Sequence, residues 1–527
     1  MTAPIDLRPD HLEIVQSILA SHLPAGVSAR VFGSRAKWTA KPYSDLDLAL
    51  KGAEKIPSWL VADLAEEFSK SDLPFKVDVL DWHDVAPSFQ AVVDRDGVLL
   101  PWPEYPLKSF VDTSRSICYG IVQPGTPNPS GVPIVRVNNF TGTGLELSDA
   151  MRVDQEIEAN YRRSRLQGGE LLVSLVGSLG QTAIAPPELR GWNVARAVGV
   201  VPLGDEADAR WINFAIRSQP AQDFMRSRAN TTVQATFNLK DLAELPIPYP
   251  PSNLRKPMSD LLAALDDKIE LNRRMNATLE RQARALFRDW FVDFGPTRAK
   301  QTGTPAYLAP HLWSLFPSTL DAEDRPEGWT DGSIADIGNL NPESWSVRTA
   351  PETVAYVDLS NTKWGYIESV EHYSWLDAPS RARRVLRSGD TIVGTVRPGN
   401  GSFAYVNTAG LTGSTGFAVL RPRRKTDRAL VWCAATAPDN IDRLAHLADG
   451  GAYPAVRPEV VADSPIVVAD EAIRDAFATL CVPIIDMMEA NKAESRTLAQ
   501  TRDLLLPKLM SGEIRVAEAE ASVGSLL

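Results

Sequence analysis

A long amphipathic helix occurs twice in this chain, and that duplication limits most strongly how the chain can fold. Within residues 265–290, apolar or small residues and two asparagines recur at alternating steps of four and three. This is the heptad pattern of a helix that packs through one stripe. Adding 219 to each position gives a second stripe, where Asn falls on Asn and Leu on Leu (491 − 272 = 498 − 279 = 219). The first stripe is Leu265, Ile269, Asn272, Asn276, Leu279, Ala283, Leu286 and Trp290, and the second is Ile484, Met488, Asn491, Ser495, Leu498, Arg502, Leu505 and Leu509.

Two related helices far apart in sequence can bury their stripes against each other. We therefore predict that they pair as an antiparallel coiled coil, in which the asparagines fix the register. A helix of about 30 residues is roughly 45 Å long, which corresponds to about 13 base pairs of duplex DNA. The sequence thus predicts two globular domains held at opposite ends of a rod.

The segments that precede the two helices repeat at nearly the same distance. A predicted strand at 132–137 has its counterpart at 354–359, and the strand at 169–176 has its counterpart at 389–396. Each copy ends in a Pro-rich segment, with Ile247 matching Ile466 (466 − 247 = 219). A period this long indicates duplicated domains and excludes a solenoid of short repeats.

Composition is ordinary for a globular protein and gives few restrictions. At 527 residues the chain has room for three or more domains. The net charge of −11 argues against coating of the whole surface with nucleic acid, although residues 105–250 are balanced with 14 acidic and 14 basic residues. Cys118, Cys433 and Cys481 fit reduced core residues. With no recognisable signal peptide or membrane span, we expect a cytoplasmic protein.

Three aspartates are placed to converge in the first hundred residues. Asp45 and Asp47 occupy alternate positions of one predicted strand, so they point to the same face, and Asp78 lies on a later strand. If that strand is adjacent, three carboxylates meet and favour a divalent cation such as Mg²⁺. Gly33 and Ser34 follow an earlier strand, where a tight turn offers N–H groups to a triphosphate.

This segment, FGSRAKWTAKPYSDLDLAL followed by VDVLD, resembles the minimal nucleotidyltransferases of the polymerase-beta superfamily. The resemblance implies that Gly33 and Ser34 bind nucleotide phosphates and that Asp45, Asp47 and Asp78 are catalytic metal ligands, with Mg and an NTP as cofactors. Trp38 departs from the family, in which Gly is frequent at that point of the loop. An active enzyme, an inactive recognition module and an ordinary solvated strand face all remain open.

The repeated body resembles the specificity subunit of type I restriction–modification systems. LDDKIELNRRMNATLERQARALFRDWFVDF is similar to the central helix of that family, TRDLLLPKLMSGEIRV to its C-terminal helix, and RSGDTIVGTVRPGNGSFAYV to part of a target-recognition domain. The resemblance implies one DNA half-site per recognition domain. It also implies partners: two methyltransferase subunits that carry S-adenosylmethionine and methylate adenine, and restriction motor subunits that cleave. The body itself has no phosphate-binding loop or methyltransferase motif, which predicts a non-catalytic, cofactor-free subunit.

The predicted fold class is therefore multidomain α/β (α+β), combining a small nucleotidyltransferase-like domain, two target-recognition domains with mixed sheets, and two long paired helices. The predicted boundaries are 1–104 for the nucleotidyltransferase-like domain, 105–252 for recognition domain 1, 253–295 for the central helix, 296–327 for a linker, 328–470 for recognition domain 2, 471–516 for the C-terminal helix and 517–527 for a tail. The Pro-, Thr- and Ala-rich linker is expected to be partly extended.

Candidate DNA contacts are cations and amide or hydroxyl side chains near predicted loops. Arginines precede the Gly-Glu strand in one copy and the Gly-Asp strand in the other, and this recurrence favours them over an ordinary solvated face. The candidates are Arg162, Arg163, Arg165, Ser178, Gln181, Thr231, Thr232 and Gln234 in the first copy, and Arg381, Arg383, Arg384, Arg397, Asn400 and Tyr453 in the second.

The predicted function is that of a specificity subunit which reads a bipartite site in double-stranded DNA and carries an accessory nucleotidyltransferase-like domain. An alternative is a nucleotidyltransferase, targeted or regulated by the DNA-reading body, that transfers a nucleotide to protein or nucleic acid. The sequence does not decide whether the N-terminal domain is an active enzyme, nor which DNA sequence is read.

Overall fold

The computed structural model describes residues 5–24, 27–52, 54–142, 144–204, 206–231, 235–451, 453–514 and 516–524. They form two compact units. The first comprises the described residues within 1–271 and 495–527, and the second comprises residues within 272–494. Within the described ranges, no helix is long and apolar enough to cross a membrane.

The first unit begins with a four-stranded sheet packed against helices. Its elements are α1 (Pro9–His22), β1 (Ser28–Phe32), α2 (Gly33–Ala36), β2 (Leu46–Lys51), α3 (Ser58–Lys70), β3 (Val77–Asp81), α4 (Pro87–Asp96) and β4 (Val98–Leu99). The strand order is β3-β2-β1-β4, with β2 parallel to β3 and antiparallel to β1. Apolar residues at helical spacing on α1 and α3 share one core with alternate residues of β1 and β2, as in Val15, Leu48 and Leu64.

The rest of the first unit contains one four-stranded sheet, one three-stranded sheet and two pairs of strands. Its elements are β5 (Glu104–Pro106), β6 (Cys118–Tyr119), β7 (Val132–Val135), β8 (Arg152–Val153), α5 (Gln155–Ala159), β9 (Leu171–Ser174), β10 (Thr182–Ile184), β11 (Asn193–Val194), β12 (Val198–Val201), α6 (Glu206–Arg217), α7 (Gln219–Arg228), β13 (Asn230–Thr231), β14 (Ala235–Thr236), α8 (Leu239–Ala243) and β15 (Pro246–Pro248). One sheet has the order β10-β9-β12-β6 and the other β11-β7-β8. The entry strand β5 pairs with the exit strand β15.

The second unit contains a similar set of strands and helices. Its first element is the C-terminal part of α9 (Ser252–Phe291), a helix that begins in the first unit. Its further elements are α10 (Gly295–Thr302), α11 (Pro310–Trp313), β16 (Thr330–Ser333), α12 (Ile334–Ile337), β17 (Gly338–Leu340), β18 (Thr353–Val357), β19 (Thr362–Lys363), β20 (Tyr366–Ile367), β21 (Glu371–Ser374), β22 (Ala382–Val385), β23 (Thr391–Gly394), β24 (Phe403–Tyr405), β25 (Leu411–Ser414), β26 (Phe417–Pro422), α13 (Arg428–Ala435), α14 (Pro438–Leu447), α15 (Pro458–Ala462) and β27 (Pro465–Val468). Its two four-stranded sheets are β17-β26-β23-β24 and β21-β18-β25-β22, and entry strand β16 again pairs with exit strand β27.

The chain ends with α16 (Glu471–Ser511) and α17 (Val516–Gly524). In the second unit, the predicted stripe asparagines are buried and meet across the two long helices: Asn276 donates to the Met488 carbonyl at 3.1 Å, and Asn491 donates to the Asn276 side chain at 2.9 Å. In the first unit, Leu265 of α9 lies in one core with Leu505 and Leu509 of α16.

A buried ion triad joins three helices within the first unit. Asp266 of α9 accepts from Arg217 of α6 at 2.5 Å and from Arg502 of α16 at 2.6 Å. All three side chains are close to nine-tenths buried. Burial alone would lower the pKa of Arg502, but the Asp266 carboxylate outweighs that effect and the pKa is raised. The triad therefore depends on its single acidic member.

The structure adds detail to three segments. Residues 296–327, expected to be partly extended, contain α10 and α11, and Phe316 packs edge-on to Trp290 with centroids 4.8 Å apart. Residues 517–527, expected as a tail, continue α17 to Gly524, and Ala519 is fully buried. In both cases apolar contacts outside the segment decide the structure, which composition alone does not reveal. The strand that was predicted to carry both Asp45 and Asp47 begins at Leu46, so Asp45 lies immediately before it.

Candidate functional site

The first candidate site lies where β1 turns into α2 against the start of β2. Gly33 has a φ of 74°, and a Cβ on it would lie only 2.2 Å from Oδ2 of Asp47. Glycine is required here both for the backbone conformation and for the close approach of the carboxylate. The turn containing Gly33 and Ser34 is thus held directly beside Asp47.

The three predicted aspartates are neighbours. Asp47 lies opposite Asp78 in the parallel pairing of β2 and β3, and Asp45 is exposed just before β2. Burial raises the pKa of Asp47, and the negative charges of Asp78 and Asp45 raise it further. Concentrated negative charge of this kind is relieved by a cation.

The carboxylates nevertheless do not form a closed ligand set as they stand. Asp78 makes an ion pair with the exposed Lys76, which raises the pKa of that lysine. Among the described residues, no three His, Cys, Asp or Glu side chains are arranged to hold a metal ion. The donor chemistry fits Mg²⁺, and Asp45, Asp47 and Asp78 are the residues that would hold it.

Arg35 is a residue whose role the sequence did not indicate. Its side chain is buried, donates to the Ser44 carbonyl from Nη2 at 2.7 Å, and donates to the Asp6 carbonyl at 2.8 Å. Its guanidinium also lies 4.0 Å from the ring centroid of Phe75. Arg35 therefore fixes the loop that leads into Asp45. Only the fold shows that its side chain faces inward.

Trp38 in the same loop has a φ of 56° and is 48% exposed. This left-handed conformation is the one that glycine adopts without strain, and it accounts for the frequent Gly at this point in the family that the motif resembles. The loop thus keeps the glycine-type backbone although the residue has changed.

A second candidate site is a basic cleft in the first unit, with a volume of about 820 Å³. Its arginines are Arg115, Arg162, Arg163, Arg165 and Arg190, of which Arg162, Arg163 and Arg165 were predicted from the sequence. Arg165 and Arg115 are held by the buried carboxylates Glu158 and Glu170, at 2.5 and 2.6 Å. Arg115 and Arg190 were missed because they come from other turns of the chain, and no local pattern connects them.

The remaining first-copy candidates are not in this cleft. Ser178 is exposed and Gln181 is half-buried, and neither lines the cleft. Thr232 and Gln234 lie outside the described residues, and Thr231 is placed in β13 without a description of its side chain.

In the second unit the predicted arginines divide into two groups. Arg381 donates to the Tyr356 hydroxyl at 2.9 Å and pairs with Asp358 at 2.8 Å. Arg383 lies over the Trp375 ring at 4.4 Å. The third member, Arg384, is partly buried, and burial lowers its pKa. These contacts give the group a structural role within the sheet region.

The other group lies on a turn. The Arg397 guanidinium is 4.7 Å from the ring centroid of Tyr453, which is 71% exposed. Asn400 lies on the same turn, in a single-turn 3-10 helix at Pro398–Asn400. The structure therefore brings Arg397, Asn400 and Tyr453 together on one surface, separate from Arg381.

Two family models match this chain. The model described as "Polymerase beta, Nucleotidyltransferase" matches residues 14–101, which include the whole aspartate site. The model described as "Type I restriction modification DNA specificity domain" matches residues 126–281, which include Arg162, Arg163 and Arg165 and much of α9.

Individual relatives agree with these models. The chain is 29% identical over 161 residues to the type I restriction enzyme EcoBI specificity subunit of Escherichia coli, covering 30% of this chain and 34% of that subunit. It is 24% identical over 340 residues to the HindI specificity subunit of Haemophilus influenzae, covering 55% of this chain and 72% of that subunit. Its N-terminal part is 39% identical over 98 residues to the probable protein adenylyltransferase MntA of Haemophilus influenzae, covering 19% of this chain and 85% of that protein. The match spans about a third of the EcoBI subunit.

Proposed function

Because this chain belongs to the specificity subunits of type I restriction–modification systems and carries a nucleotidyltransferase domain of the polymerase-beta type, we propose that it selects the DNA sequence on which such a system acts. Each recognition domain, 105–252 and 328–470, reads one half of a bipartite site. The partners are two methyltransferase subunits, which bind S-adenosylmethionine, and restriction motor subunits. Three free, buried cysteines support a cytoplasmic location.

The observation that carries this proposal is the basic cleft of the first unit. Five arginines line one depression, and because Glu158 and Glu170 pair with only two of them, the cleft keeps a net positive charge although the whole chain has a net charge of −11. Arginine also suits phosphate oxygens and guanine edges, because its planar fork donates two parallel hydrogen bonds. The buried Glu158 and Glu170 hold two of these arginines in place, which prepares the cleft before DNA arrives.

We also propose that α9 and α16 pair as an antiparallel coiled coil over their length, corresponding to the predicted segments 253–295 and 471–516. Contacts inside each unit support an antiparallel register: residue 266 meets 502 in the first, and 276 meets 491 in the second. At about 1.5 Å per residue, the 40 residues of α9 span roughly 60 Å. Such a pair would set the spacing between the two half-sites.

The DNA-binding role of the cleft can be tested by removing charge from two exposed arginines. We expect Arg162→Gln with Arg163→Gln to weaken DNA binding by the assembled complex. If each arginine contacts one phosphate, the slope of log K against log salt should fall by about 0.9 per contact. Fluorescence anisotropy at a series of salt concentrations measures both quantities.

The matched control is Arg226→Gln, which removes an exposed arginine of α7 that pairs with Asp223 and does not line the cleft. Its binding and salt slope should equal those of the wild type. An unchanged salt slope in the double variant, with binding intact, would exclude the cleft as a phosphate contact.

A second function is favoured by the Gly33–Asp47 geometry. We propose that residues 1–104 transfer an adenylyl group to a protein hydroxyl, in line with the name of the MntA relative. The N–H groups of Gly33 and Ser34 would hold the phosphates, and Asp45, Asp47 and Asp78 would hold Mg²⁺, which supplies charge neutralisation. The acceptor oxygen attacks the α-phosphorus, the bond to the β-phosphate oxygen breaks, and pyrophosphate leaves.

A further inference from the structure

The hairpin of β19 and β20 carries an exposed tryptophan at its turn. Trp364 has a φ of 46° and is 59% exposed. A large side chain in the left-handed region strains the backbone, and although the ring packs edge-on to Phe403 with centroids 5.8 Å apart, more than half of the residue remains exposed. Strained positions of this kind persist mainly where a binding site requires them.

The turn at residues 397–401 fixes the position of this tryptophan. Gly401 has a φ of 71°, and a Cβ on it would lie 2.5 Å from the Trp364 ring, so the ring packs directly on a bare backbone. The backbone N–H of Trp364 donates to the Gly401 carbonyl at 2.6 Å. At the other end of the same turn is Arg397, which also has a left-handed φ of 48° and lies over the exposed ring of Tyr453.

The hairpin is anchored to α16 by a buried lysine. Lys492 is 8% exposed, donates to the Gly365 carbonyl at 2.7 Å and pairs with Glu489 at 2.6 Å. Its ammonium also lies 4.7 Å from the Tyr366 ring centroid. These bonds hold the hairpin turn rigidly, so the Trp364 ring loses little conformational freedom on binding a partner.

We propose that Trp364 stacks against an unstacked base step of duplex DNA, with the exposed cations Lys363 and Arg397 on the adjacent phosphates. We call Lys363, Trp364, Arg397 and Tyr453 the aromatic surface. The proposal rests on the proposed DNA-reading function and deepens it, because it adds a base-stacking residue to the second unit. Two aromatic rings flanked by two cations match DNA, whose bases offer flat faces and whose backbone is anionic.

A wedge of this kind has a definite energetic signature. Inserting a ring between base pairs requires unstacking of one step, and the ring recovers stacking energy in return. Loss of the ring should therefore weaken binding to an intact duplex by about 10- to 100-fold. It should matter more for a duplex whose step is already unstacked by a mismatch, because no unstacking cost then offsets the stacking energy of the ring.

The test uses the assembled complex and a duplex that carries the site defined by genome methylation. 2-Aminopurine, whose fluorescence rises when it leaves the base stack, is placed singly at each position of the half-site read by the second unit, excluding the methylated adenine. We expect one position to brighten with saturating wild-type complex, to remain dark with Trp364→Ala, and to brighten partly with Trp364→Phe. A mismatch at that position should strengthen binding by the wild type and widen its difference from Trp364→Ala, because the ring then stacks without an unstacking cost.

The matched control is Leu376→Ala, which removes another exposed apolar side chain of the second unit, 93% exposed and outside the aromatic surface. It should bind and brighten like the wild type, and the melting temperature of each variant reports on folding. If the wild-type complex binds no DNA, the proposed function fails. If it binds, and Trp364→Ala binds and brightens equally, the stacking role alone is wrong. Failure of Trp364→Ala to assemble with the partner subunits would instead assign the surface to protein docking and overturn the proposal.

Discussion

Replacing Asp266 by alanine should destabilise the first unit by about 3–5 kcal/mol, because it leaves two buried guanidinium groups without their shared carboxylate. Arg217 approaches Asp266 from α6 and Arg502 approaches it from α16, so the loss affects the packing of three helices together. The free energy of unfolding, obtained from urea titration followed by circular dichroism, measures the effect.

The control for this substitution is Asp260→Ala on the same helix. Asp260 pairs with Lys256 at 2.6 Å, but both side chains are largely exposed, so the loss should be below about 1 kcal/mol. Replacing all three members, by Asp266→Leu with Arg217→Met and Arg502→Met, should restore much of the stability, since no buried charge then remains. If Asp266→Ala and Asp260→Ala have equal effects, the triad is not a determinant of stability.

Replacing both Asp45 and Asp47 by asparagine should reduce Mg²⁺-dependent adenylyl transfer by about 100-fold or more. The two carboxylates are proposed metal ligands, and charge neutralisation by a bound metal contributes several kcal/mol to such a reaction. Incorporation of labelled AMP from ATP into protein, with and without chelator, measures the change. The matched control is Asp72→Asn, which removes an exposed carboxylate from a loop of the same domain and should leave transfer unchanged.

The single substitution Asp47→Asn should stabilise the protein in the absence of metal. Burial and the neighbouring carboxylates raise the pKa of Asp47, so its ionisation opposes folding at neutral pH. Asp47→Asn should therefore raise the melting temperature of the metal-free protein at neutral pH, and the gain should vanish at acid pH, where the carboxyl is protonated in both states.

Equal labelling by the double variant Asp45→Asn with Asp47→Asn and by the wild type would contradict catalysis at this site. A lower melting temperature for Asp47→Asn would contradict the proposed charge repulsion.

Periodicity and duplication were sufficient to predict much of the fold. The heptad stripe placed Asn276 and Asn491 at buried positions, and the 219-residue repeat located the equivalent strands β9 and β23. Such features are local or repeat along the chain, so they are visible without a structure. Residues 296–327 were harder, because the packing of Phe316 on Trp290 depends on a partner outside the segment.

The candidate sites were predicted only in part. The motif around Gly33 and Asp47 is dense in sequence, and the structure places those two residues in contact. By contrast, Arg115 and Arg190 reach the basic cleft from separate turns, which no spacing in the sequence connects. For Arg381, the structure adds an ion pair with Asp358 that the sequence did not indicate.

Backbone conformation gave information that residue type alone did not. Trp38 and Trp364 both adopt left-handed φ values, of 56° and 46°, and both are exposed. In the sequence each is one tryptophan among 13. Only the structure shows that both combine a left-handed backbone with an exposed side chain.

The measurement that tests the central claim most directly is methylation-resolved sequencing of the host genome, with this gene intact and deleted. A specificity subunit predicts that deletion removes one bipartite motif containing methylated adenine, and that restoring the gene restores it. Exchange of residues 105–252 for those of a relative should then change only one half of the motif. An unchanged set of methylated adenines after deletion would contradict the claim that this chain selects DNA sequence.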